Sequence, residues 1–80
     1  MSGKHEVFVE SYPKHSLGDT YCVVRLQIDS VPYQITTQCW YLVEDLPSVG
    51  GVAELDVFGE LGGDVSLLMN GIVYEALLVL

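Results

Sequence analysis

Apolar and polar residues alternate along most of this chain, and the alternation breaks at short clusters of Gly, Pro, Asn, Asp and Ser. A period of two marks a strand with one buried face, and such clusters mark the turns between strands. The longest self-consistent stretch runs from Thr20 to Val43. There TYCVVRLQI and YQITTQCWYLV flank the turn sequence Asp29-Ser30-Val31-Pro32. A two- or four-residue loop centred between Ser30 and Val31 pairs Ile28 with Tyr33, Leu26 with Ile35, Val24 with Thr37, Cys22 with Cys39 and Thr20 with Tyr41. That face is almost wholly apolar. The other carries Gln27–Gln34, Arg25–Thr36, Val23–Gln38 and Tyr21–Trp40, mostly polar with an aromatic end. A one-residue slip would mix the two sets, so the pattern specifies which residues face inward.

Upstream, His5 to Tyr12 reads as a first strand, with Val7 and Val9 on one face and Glu6, Phe8 and Glu10 on the other. Residues 1–4 read as a loose end. Pro13 ends the strand and Lys14 to Asp19 form a loop. Downstream, Glu44 to Gly51 stop the ladder, with room for a short helical turn near residues 44–49. Val52 to Phe58 alternate again as a fourth strand, with Ala53, Leu55 and Val57 toward the core. Asn70-Gly71 then announces a second hairpin, because this pair supplies the two positive-φ positions of a type I′ turn. It pairs Met69 with Ile72, Leu67 with Tyr74 and Val65 with Ala76. Leu, Met, Glu and Ala in this region also favour a helix, but Asn70-Gly71 would sit in its middle. The sum is a single all-β domain over residues 1–80, of about six antiparallel strands closed as a small barrel or packed as a sandwich.

Composition changes this picture in one respect. Half of the 80 residues are apolar, and the 18% that are charged comprise eleven acids against Lys4, Lys14 and Arg25, for a net charge of −8. Binding a nucleic-acid backbone needs several cations to displace its counterions. Three cannot supply them, so direct nucleic-acid binding is not expected. Neither is binding to an anionic membrane. The longest apolar run, Ala76 to Leu80, is far short of the roughly 20 residues that span a bilayer as a helix. A cytoplasmic location is the expectation. Cys22 and Cys39 face each other in this pairing, at a separation that permits a bridge, and a reducing cytosol would keep them as buried thiols.

The candidate chemistry is sparse. His5, His15, Cys22 and Cys39 show no metal-ligand spacing, and no Cys–His signature marks a nucleophile. Glu54 and Asp56 share one strand face, about 6.6–6.8 Å apart along the chain, with Glu60 and Asp64 beside the glycine turn and Glu44-Asp45 in the preceding loop. Such carboxylates suit acid–base work or a calcium ion, yet they follow no diagnostic pattern; a solvated acidic face accounts for them more simply. Gly59 to Gly63 lack the Lys-Ser/Thr of a phosphate loop, and Glu60 and Asp64 would repel a phosphate.

The expectation is a non-enzymatic protein–protein interaction module without metal or cofactor. Its partner face would be Tyr21, Arg25, Gln38 and Trp40 with Glu54, Asp56 and Glu60; Trp, Tyr and Arg are enriched at interface hot spots. The partner would be a protein, and an inhibitor or regulator of a basic nucleic-acid-binding protein is the specific version. The apolar tail Leu77, Leu78, Val79 and Leu80 points to a homo-oligomer. The competing readings are a ligand-binding or enzymatic barrel with an aromatic-lined mouth, and a structural subunit of a larger assembly.

Overall fold

Two tight turns set the architecture. Asp29 and Ser30 have φ of 49° and 69°, and Asn70 and Gly71 have φ of 48° and 78°. Consecutive positive values belong to the two-residue hairpin turn whose twist matches that of its flanking strands. The first turn joins β2 (Cys22–Ile28) to β3 (Val31–Thr37), and the second joins β5 (Val65–Met69) to β6 (Ile72–Leu78). The remaining strands are β1 (Ser2–Lys14) and β4 (Val52–Phe58). The structure is a computed structural model and describes residues 2–14, 20–38 and 44–79. Every neighbouring pair is antiparallel, and the order β1-β2-β3-β6-β5-β4 closes on itself as a barrel. Glu44 and Asp45 have helical backbone, and the described residues contain no longer helix.

The last hairpin pairs as the sequence predicts: Met69 with Ile72, Leu67 with Tyr74 and Val65 with Ala76. The central hairpin does not. Its pairs are Ile28–Val31, Leu26–Tyr33, Val24–Ile35 and Cys22–Thr37, displaced by two residues from the expected set. Because the side-chain period is two, this displacement exchanges partners without turning any residue over. Leu26, Ile28, Tyr33 and Ile35 are all buried, as expected. Two non-glycine residues take the left-handed turn, and Pro32 lies inside β3 rather than in the loop. There it is harmless to the hairpin. With Ile28–Val31 closing the turn, residue 32 points its backbone toward β6, where the Val79 N–H donates to the Pro32 carbonyl and no N–H is needed in return. The displacement also sets Cys22 opposite Thr37, so the expected Cys22–Cys39 facing pair is not formed. Cys22 is a buried free thiol, and Cys39 lies outside the described residues.

β1 is longer at both ends than expected. Ser2, Gly3 and Lys4, read as a loose end, pair with Phe58, Val57 and Asp56 of β4. At the far end the strand runs past Pro13 to Lys14, with register shifts against β2 between Val9 and Ser11 and between Ser11 and Lys14. Bulges are where a strand tolerates proline. They also change the inward set: Val7 and Val9 are buried, and beyond the bulge Tyr12 packs on the core.

The barrel interior is filled by its own side chains. Val7, Val9, Val24, Leu26, Ile28, Tyr33, Ile35, Val57, Leu67 and Ala76 are essentially inaccessible to water, and among the described residues no polar or charged side chain joins them apart from the Tyr hydroxyls. Full burial of one such side chain is worth about 1.5–3 kcal/mol. Both mouths carry a leucine. Leu46 is buried at one, where the Tyr12 hydroxyl donates to the Pro47 carbonyl. Leu61 packs on the core at the other, where the Tyr33 hydroxyl accepts from Gly62 N–H at 3.2 Å and donates to the Gly63 carbonyl at 2.7 Å.

The displaced register has a direct test in urea unfolding. Ser30→Gly relieves a left-handed serine and should stabilise by up to about 1 kcal/mol. Val31→Gly removes a paired, half-buried strand residue and should destabilise. A harmless Val31→Gly would restore the turn centred on Ser30 and Val31.

Candidate partner-binding surface

The described residues fill the interior of this small barrel with side chains, which leaves the outward positions of its strands as the candidate surface. On the β2–β3 side, Arg25 is exposed and its Nε donates to Gln34 Oε1 across the hairpin at 3.2 Å, where Thr36 was the expected neighbour. One residue beyond the last pair stand Tyr21 and Gln38. The Lys14 ammonium lies 4.7 Å from the Tyr21 ring centroid and its Nζ donates to the Tyr21 hydroxyl at 3.3 Å. Trp40 lies outside the described residues. This side is therefore a polar and cationic patch.

The acids Glu54 and Asp56 lie on the outward face of β4, and Glu60 follows in the loop after it. β1 stands between β4 and β2 in the barrel, so the expected partner face is divided into two. Within the acidic part, sequence reading missed the closest feature. Glu6 on β1 is directly opposite Glu54 on β4, both exposed. The ladder alternation makes this one of the closely spaced, non-hydrogen-bonded pairs, because the Val9 N–H to Gly51 bond assigns the odd positions of β1 to the β4 ladder. Only the strand order could have brought Glu6 and Glu54 together. Next along β1, Lys4 meets Asp56 at 3.5 Å.

Beside these acids β4 and β5 part, leaving a recess of about 220 Å³. Lys4, Asp45, Glu54, Asp56, Leu68 and Asn70 are among its lining residues. Asn70, at the tip of the β5–β6 hairpin, donates through its amide to Asp45 Oδ1 at 2.5 Å. Among the described residues, no group of three or more His, Cys, Asp or Glu is arranged to hold a metal ion.

At the mouth closed by Leu61, the Asp29 carboxylate accepts from the His5 ring and from the Glu6 N–H, the latter at 3.2 Å, while the Asp29 N–H donates to the Glu6 carbonyl at 2.9 Å. The carboxylate thus takes the place of the backbone acceptor that the turn has swung away, and continues the β1–β2 ladder by one rung. The hydrogen bond from His5 first, and that from Glu6 with it, hold the Asp29 carboxyl below its ordinary pKa. Burial raises the Cys22 thiol and the Tyr12 hydroxyl instead.

Of the expected oligomer residues, Leu77 is exposed on β6, Leu78 packs against the core, Val79 is half-buried, and Leu80 lies outside the described residues. No helix among the described residues is long and apolar enough to cross a membrane. No protein-family model matches the chain, and neither the curated proteins nor the solved structures contain a significant match.

Asp29 gives a pH test with a definite sign. Its depressed folded pKa means its stabilisation is complete above the ordinary carboxylate range near 3.9 and is lost as pH falls through the lower, folded value. Asp29→Asn should therefore cost stability at neutral pH and progressively less toward pH 2. A cost equal at both extremes would assign the loss to packing.

Proposed function

We propose that this protein is a non-enzymatic interaction module whose acidic outer surface binds a basic protein partner, with inhibition or regulation of a nucleic-acid-binding protein as the specific form. The observation that carries this reading is the Glu6–Glu54 pair. Like charges directly opposite on a sheet cost roughly 0.2–1 kcal/mol, and Asp56 on the same face adds to the field. Lys4 offsets one of these carboxylates; a partner's Lys or Arg entering between Glu6 and Glu54 would offset the others. A cluster of carboxylates on a rigid barrel presents negative charge where the partner would otherwise meet phosphates. The charge also favours fast, salt-sensitive association. Leu46 and Leu61 at the two mouths make a ligand pocket inside the barrel the weaker alternative.

Titration against a basic nucleic-acid-binding protein, followed by anisotropy, tests the proposal. Affinity should fall at least about tenfold between roughly 50 and 300 mM salt. An affinity indifferent to salt sinks it. Glu6→Lys should stabilise the barrel by about 0.2–1 kcal/mol while weakening that complex; a variant that gains stability and binds as before would place the contact elsewhere.

Self-association is a second reading, favoured by Val73 and Leu77 on the outer face of β6, 60% and 50% exposed. Light scattering behind a sizing column should then give a salt-resistant oligomer that Leu77→Asp disperses, whereas Leu78→Asp should unfold the monomer itself. A monomeric wild-type protein would end this reading.

A further inference from the structure

The recess beside β4 is also a break in the barrel's hydrogen bonding. β4 and β5 are joined by only three residue pairs, Asp56–Leu68, Val57–Leu67 and Phe58–Ser66. The β5–β6 hairpin commits the odd residues of β5 to β6, so Ser66 and Leu68 bond toward β4, and Phe58 and Asp56 answer them. The next rung would join Glu54 to Asn70. It is missing, because Asn70 has entered the left-handed turn and its amide is held by Asp45. Glu54 points its N–H and C=O into the recess, away from β1, and among the described residues no backbone group of β5 receives them. Val52, two residues back, points the same way.

We propose that this open edge accepts an extended basic segment of the partner, which adds to β4 as a short strand. The inference rests on the acidic-module reading and specifies how that partner is held. Main-chain bonds to Glu54 would give the segment its direction and register, as in other strand-addition complexes. Side chains alternate along such a segment, so basic residues would meet Glu54, Asp56 and Asp45 while the intervening small apolar ones face Leu55 and Met69 on the recess floor. A second copy of this chain does not fit the same edge: antiparallel pairing of β4 with itself would set Glu54 and Asp56 of both copies against one another, on molecules that each carry a charge of −8.

The test uses the full chain and a capped Lys-Val-Lys-Val-Lys peptide, with versions N-methylated at the valine amides or at the lysine amides. Only one edge of the peptide pairs with β4. One methylated version should therefore bind within about twofold of the parent and the other at least about tenfold more weakly. The Glu54 amide should gain protection from hydrogen exchange on binding. In the protein, Glu54→Pro removes the donor on the open side without touching the β1 ladder, and should weaken binding more than Glu54→Gln does. Equal binding of all three peptides, or no protection at Glu54, overturns the strand-addition proposal; salt-dependent binding of the basic protein in the anisotropy titration would leave the acidic-module reading standing. Loss of salt dependence as well would remove both.

Discussion

The barrel exists because Tyr33, Gln34 and Ile35 of β3 pair with Leu78, Leu77 and Ala76 of β6. Without that ladder the chain is an open sheet with two exposed edges. With it, the inward residues of all six strands enclose one another. Closure is non-local, joining the middle of the chain to its far end, and its entropy cost is met only when the interior is already apolar and complementary. The same ladder explains why Pro32 is tolerated and where it must lie, at the last rung, with its carbonyl still accepting from Val79. It also explains the apolar character of both faces of the C-terminal run: Ala76 and Leu78 fill the barrel, and Leu77 lies outside beside Gln34.

Much of this was legible in the order of residues, and the failures have physical reasons. Asn70-Gly71 encodes turn, register and faces together, since few other pairs accept two positive φ values. Asp29-Ser30 encodes the same turn with weaker chemistry, and the neighbouring Pro32 suggests a loop displaced by one residue. Alternation then fixed which of Leu26, Ile28, Tyr33 and Ile35 face inward but was blind to a two-residue displacement, which preserves every face. The bulges that carry β1 past Pro13 leave no mark in the alternation. The candidate surface was least legible. Glu54 and Asp56 could be placed on one outward face, but their neighbours Glu6, Lys4 and Asn70 come from strands whose order no local pattern states.

Charge and stability pull against each other on this surface. Glu6 opposite Glu54 weakens the β1–β4 contact that holds the first strand, and the barrel can bear it because Val7 on one side of Glu6 and Val57 further along β4 are buried in the core. A domain of this size keeps only a few kcal/mol in reserve. A repulsive pair on its outside is then a measurable fraction of the total.

The β5–β6 hairpin is tied to the rest of the wall by three pairs on each side, along the middle of β5 and at the base of β6. Its outer half is held by Met69 and Tyr74, which are buried, and by the Asn70 amide on Asp45. Mechanically it is anchored unevenly, on β5 to within two residues of the turn and on β6 only over Ala76 to Leu78. Strain applied at Asn70 is levered onto those few pairs, whereas the same strain on β1 is spread along two long ladders. With so few ladder pairs, this hairpin is the part of the wall expected to open at the least cost, on its β6 side first.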